Sequence, residues 1–140
     1  MSKIYNKKSS FAFFNTSAKD SRKSWSALSD DKKTVVITIW KDQIRYRDKK
    51  PFWNTFDLPH NQRNELWKDQ FGNKERIENL KHSLSKLDGL FRVVITVAID
   101  QDAFPRKILS CYPWEGIWMK IIELDEKTGE CRASFFNKDN

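Results

Sequence analysis

The sequence predicts an α+β fold: a curved or barrel-like, mostly antiparallel sheet with two helices in the middle of the chain. Three observations lead there. Short β-branched or alternating runs fill both ends of the chain, two amphipathic segments separate them, and no repeat or glycine-rich linker divides the 140 residues. A chain of this length is large enough for one real core and too short for two.

The elements follow in order. Residues 1–10, MSKIYNKKSS, are polar and basic and read as a flexible basic N-terminus ahead of a single domain over 11–140. FAFFN at 11–15 suits a first short strand, and Trp25–Leu28 a second. DDKK at 30–33 is a hairpin connection into Thr34–Trp40, the most secure strand. There Val35, Ile37 and Ile39 share one face, while Thr34, Val36, Thr38 and Trp40 share the other. Gln43–Arg47 alternates Ile44 and Tyr46 with Arg45 and Arg47, and Pro51 then breaks the run. Residues 61–71, with Leu66, Trp67 and Phe71, predict a first helix. The second is N-capped by Asn73, carries the stripe Ile77, Leu80, Leu84 and Leu87, and stops at Gly89. LFRVVITVAID at 90–100 is the second confident strand, with Phe91, Val93, Ile95, Val97 and Ile99 on one apolar face. A short strand at 107–112 follows. Gly116–Leu124 and Glu130–Phe136 then form a hairpin around DEKTG.

Composition excludes several function classes. No apolar run reaches the roughly 18 residues needed to span a bilayer, and no signal-peptide core opens the chain, so the expectation is cytoplasmic with no membrane partner. Cys111 and Cys131 read as core thiols rather than a disulfide. His60 and His82 stand alone, and no metal or cofactor is expected. Nucleotide and nucleophile signatures (the P-loop, the dinucleotide fingerprint, G-x-S-x-G) are missing. Asp100 and Asp102 with Lys107, or Glu123 and Asp125 with Lys127, do not make the compact acid, acid-x-Lys pattern of a metal-dependent nuclease. The chain is not read as an enzyme.

Charge and aromatics point elsewhere. The formal net charge is +7. Residues 1–50 hold thirteen Lys/Arg against five Asp/Glu, whereas residues 51–140 hold thirteen against fourteen. So lopsided a charge fits one surface for a polyanion. Within it, Arg22, Lys23, Ser24, Trp25 and Ser26 combine phosphate donors, a stacking plate and small hydroxyls. Trp40 is followed by Lys41, Arg45 and Arg47, which suit a phosphate backbone. Asp42 either pairs with its basic neighbours or accepts from an amino group on a base edge. In AIDQDAFPRK (98–107), Asp100, Arg106 and Lys107 either present polar groups above the sheet or close the connection as an Asp–Arg pair. Trp53, Trp114 and Trp118, like Trp25 and Trp40, fall at strand ends or in loops, where packing competes with ligand contact.

The succession SRKSWSAL, VVITIWKDQI, FRVVITVAIDQDAFPR and WMKIIELDEKTGECRA, over most of residues 11–136, resembles small bacterial domains that stand alone or precede HNH-type nuclease domains in modification-dependent restriction systems. The strand–helix–strand order is similar to PUA-like readers of the EVE and YTH types, which take a flipped, modified base into an aromatic pocket. That resemblance implies a reading role for Trp25, Ser26, Trp40, Asp42, Asp100 and Arg106. The resulting expectation is a nucleic-acid-binding module, for DNA more than RNA, with Trp25 and Trp40 stacking on a modified or flipped base. The alternative is a protein-interaction module acting on a nuclease partner, with the exposed aromatics as anchors.

Overall fold

The computed structural model describes residues 4–59, 62, 69–103 and 106–138. It begins with a short helix rather than the expected strand: α1 spans Lys7–Ala12. Asn6 caps it by accepting from the Ser9 backbone N–H at 2.8 Å, and Ser9 Oγ accepts from the Asn6 N–H at 2.9 Å. This reciprocal capping box fixes a turn that hydrophobicity alone did not reveal, and it buries Ser10 and Phe11.

The strands are β1 (Ser26–Leu28), β2 (Val35–Trp40), β3 (Ile44–Arg47), β4 (Lys50–Asn54), β5 (Leu90–Ala98), β6 (Ile108–Pro113), β7 (Trp118–Leu124) and β8 (Cys131–Phe136). They form one mixed, mostly antiparallel sheet in the order β1-β2-β5-β7-β8-β4-β3, with β6 attached to β5. The sheet stays open rather than closing into a barrel. Its one parallel pairing among the described strands joins β2 to β5, from Val36 opposite Arg92 to Trp40 opposite Thr96. Leu90 and Phe91 of β5 pair with β7, whereas Val94–Ala98 pair with β6, so the sheet forks along β5.

Pro51 does not end the strand region. Asp48 and Lys49 adopt φ of 52° and 66°, which makes a tight two-residue reversal, and the chain returns as β4. Pro51 precedes the Phe52–Asn54 stretch that pairs with β8, so its missing N–H removes no bond from that ladder.

Of the two expected helices, the one over 61–71 falls largely outside the described residues, Trp67 included. The other is α2, Phe71–Lys86. It starts two residues before Asn73, and Asn73 serves tertiary structure instead of capping. Its Nδ2 donates to the Thr128 carbonyl at 2.9 Å, tying α2 to the β7–β8 turn. The buried face is Gly72, Asn73, Arg76, Ile77, Asn79, Leu80 and Ser83, while Leu84 is exposed.

Val35, Ile37 and Ile39 of β2 join Phe91, Val93 and Ile95 of β5, Leu80, Met119 and Trp53 in the main core. The opposite face of the same strands splits. Val36 and Val94 lie under Phe11 and Phe14 of the N-terminal segment, whereas Thr38, Trp40 and Thr96 extend past that cover. Both cysteines are buried free thiols; burial pushes Cys131 up to about 12, which keeps it protonated.

Candidate functional site

Because β1 and β2 run antiparallel, the residue before β1 lies beside the end of β2. Thr38 fixes this: its backbone N–H and its Oγ1 both donate to the Trp25 carbonyl, each at 2.9 Å. Trp25 and Trp40 therefore stand at the same end of the hairpin. The parallel register adds Thr96 next to Trp40.

A cavity of about 280 Å³ opens there, lined by Trp25, Trp40 and Trp53. Its other walls come from Thr38 and Thr96 on the sheet, Gln43 in the turn after β2, Gln101, Ala103 and Arg106 in the β5–β6 loop, and Arg76 on α2. The volume matches the lower end of small-ligand sites. Each tryptophan carries a guanidinium: Arg76 Cζ lies 4.9 Å from the Trp25 ring centroid and 5.6 Å from that of Trp53, and Arg106 Cζ lies 5.3 Å from Trp40. Such cation–π contacts hold the rings and the charges together.

The approach to Trp25 is built locally. Asp20 Oδ1 accepts from the N–H groups of Arg22 and Lys23 at 2.9 and 3.0 Å, which holds its carboxyl below the usual carboxylate range. Ser24 Oγ in turn accepts from the Asp20 N–H at 3.1 Å. Gly72 completes the arrangement. A methyl group there would overlap the Lys23 carbonyl oxygen and the Trp25 indole, so only glycine lets α2 approach this closely.

The charges in the cavity wall are all positive among the described residues: Lys7, Arg22, Arg76 and Arg106. Lys7 is half-buried, and loss of solvent lowers its pKa, against the favourable charges of Asp20 and Glu75. Arg106 is neutralised by Asp42 through two parallel bonds of 2.7 and 2.8 Å. Arg76 is different. It is 5% exposed, burial pulls its pKa down to about 10 against the opposing field of the Glu130 carboxylate, and it makes no ion pair among the described residues. Its Nη2 donates to Asn73 Oδ1 at 3.2 Å, while its Nε and the Trp53 Nε1 are buried without a hydrogen-bond partner.

The residues expected to contact a base separate into two groups. Trp25 and Trp40 meet in the cavity, with Arg22 and Arg106 from the phosphate set. Ser26, Asp42 and Asp100 are not among its lining residues. Strand alternation turns Ser26 toward α2, where Asn79 Nδ2 donates to its Oγ at 2.8 Å, and Ser24 lines the cavity instead. Asp42 is taken by Arg106. The Asp–Arg closure of the β5–β6 loop thus uses Asp42, since the exposed Asp100 accepts from the Asp102 N–H at 2.9 Å within its own turn. Lys23, Lys41, Arg45, Arg47 and Lys107 are exposed outside the cavity. Arg45 Nη1 donates to the Asp42 carbonyl at 2.7 Å, and Arg47 lies over Phe52.

Arg76 escapes a sequence reading that assigns the helix's inner face to its leucines. Its signal was the small and polar set Gly72, Asn73, Arg76 and Ser83, which recurs at helical spacing beside Leu80. The site defines a class of protein in outline: an open α+β sheet with a tryptophan-walled, cationic cavity at one end. In comparison with known proteins, no protein-family model matches the chain, and neither a curated protein nor a solved structure is significantly similar to it.

Proposed function

We propose that the protein is a nucleic-acid-binding module that takes a single base, flipped or modified, into the tryptophan cavity. The observation that carries this reading is the meeting of Trp25, Trp40 and Trp53 with Arg22, Arg76 and Arg106 around one hollow of about 280 Å³. Bases stack on indoles with a gain of about 1–3 kcal/mol each, and the opening is the right scale for one flat ring system. Exposed Lys23, Lys41, Arg45, Arg47 and Lys107 supply cations for the flanking phosphates. Extruding a base costs a few kcal/mol, least for a damaged or mispaired one, which favours single-stranded or lesion-bearing DNA over intact duplex. The likeness to PUA-like readers suits this use of an aromatic pocket, in a cytoplasmic restriction or defence setting.

The test is fluorescence-polarisation binding to a single-stranded oligonucleotide. Trp25→Ala should weaken binding by about ten- to a hundredfold, the scale of one lost stacking contact. Affinity should also fall linearly in log salt. Binding unchanged by the substitution would overturn the reading.

A second reading rests on Ile99, Ile108 and Leu109, exposed by 61%, 43% and 65% along the β5–β6 arm. Such a patch suits a protein partner, for instance a nuclease. Association through it would show little dependence on salt and would survive Trp25→Ala.

A further inference from the structure

The buried end of the cavity offers donors and no acceptor charge. Arg76 presents a desolvated guanidinium whose Nε is unsatisfied, and Trp53, 1% exposed, presents an unsatisfied indole N–H. The two side chains lie against each other and both line the cavity. Buried polar groups are almost always paired, and Arg76 and Trp53, each with an orphan donor, both border this hollow. Arg76 is also the most deeply buried cation of this wall, its charge offset by Glu130, which does not line the cavity. Arg106 has Asp42 in contact, Arg22 is exposed, and Lys7 is half-buried. No carboxylate is among the described lining residues. A neutral methyl group would leave both donors unsatisfied, whereas an oxygen anion would satisfy both and offset the charge.

We propose that the ligand brings an oxyanion, carried on a flat aromatic body, to Arg76 and Trp53 while its ring lies against Trp25. This rests on the base-reading function and sharpens it: the favoured base bears a carboxylate rather than a methyl group. A terminal phosphate of a strand offers the same chemistry from a different source.

The experiment uses the whole chain and oligonucleotides of one sequence that carry cytosine, 5-methylcytosine or 5-carboxycytosine at one position. A fourth arm carries plain cytosine with a 5′-phosphate. Benzoate and its neutral counterpart benzamide are titrated separately against tryptophan fluorescence. The carboxylated oligonucleotide should bind about tenfold or more tighter than the methylated one, the scale of one charge-assisted hydrogen bond. Arg76→Gln should erase that gain, so that the carboxylated and methylated oligonucleotides bind alike. Trp53→Phe, which removes the N–H donor together with the five-membered ring, should reduce it and serves if the first variant fails to fold. A gain given by the 5′-phosphate instead supports the oxyanion site and assigns it to a strand end. Equal, Trp25-dependent binding of all four oligonucleotides would overturn the oxyanion site and leave base reading intact, as would a gain that survives Arg76→Gln. Binding of benzoate over benzamide, with no oligonucleotide bound, would keep the oxyanion site and overturn base reading. Failure of every probe would overturn both.

Discussion

The two faces of β2 and β5 do opposite work with the same backbone. On one, Val35, Ile37 and Ile39 interlock with Phe91, Val93 and Ile95, all at most 2% exposed. On the other, apolar cover from Phe11 and Phe14 lies over Val36 and Val94. Beyond it the residues change to Thr38, Trp40 and Thr96, and the cavity begins. Period-two alternation therefore lets a single strand seal a core on one side and furnish a site on the other. The same contrast runs along α2. Leu80 is fully buried in apolar company, whereas one turn earlier Arg76 is nearly as buried beside two indoles. A charge so placed weakens the fold unless something pairs with it.

The sharpest way to break this division is to damage the sealed face alone. Phe91→Ala removes a ring that is 0% exposed at the fork of the sheet. It should cost about 3–5 kcal/mol of stability, read by urea denaturation, and binding should fail only as the protein unfolds. A loss of binding at full stability would mean that the two faces are not independent. Gly72→Ala probes the other side. The added methyl group must push Trp25 or the Lys23 carbonyl away, since the neighbours are backbone and a stacked ring. Stability should fall by about 1–3 kcal/mol from overpacking, with a loss of binding that approaches that of Trp25→Ala. Unchanged binding would detach Trp25 from the site.

Much of the sealed face was legible in the sequence, and less of the open one. The alternation in VVITIW and LFRVVITVA assigned both faces of β2 and β5, and it put Trp40 and Thr38 on the face that became the site. Trp25 and Trp40 could be picked as aromatics flanking a hairpin, and antiparallel pairing then brings them together. Register across the parallel β2–β5 pair depends on distant segments, so the company of Thr96 was not readable. The α1 helix was missed because its signal is a polar capping box, Asn6 with Ser9, ahead of a phenylalanine cluster. The β3–β4 reversal was missed because Asp48 and Lys49 hold left-handed angles usually left to glycine or asparagine. Ser26, Asp42 and Asp100 carry the right groups for reading a base, yet each has a nearer partner in Asn79, Arg106 or its own turn. Pairing of Asp42 was one of the two options its basic neighbours offered. Its partner Arg106 lies 64 residues away, however, and Asn79 lies 53 from Ser26, so these partners emerge only in the fold.

The smallest effect concerns the loop that delivers Trp25, and it separates loop from core by pH. The Asp20 carboxylate accepts from the Arg22 and Lys23 N–H groups, so its ionised form is favoured in the folded protein and its pKa lies below the ordinary 3.8. Because the folded value is depressed, the stabilisation is present above the unfolded value and disappears as pH falls through the folded one. Between neutral pH and about 4, the amide resonances of Arg22 and Lys23 should therefore stay constant in NMR spectra. On further acidification they should shift together, with a midpoint below 3.8. Asp20→Asn should abolish that titration, and residues of the sealed face such as Val93 and Ile95 should be silent to it. A midpoint at or above the ordinary value would show that the carboxylate does not hold the loop. The path to Trp25 would then rest on Gly72 and Thr38 alone.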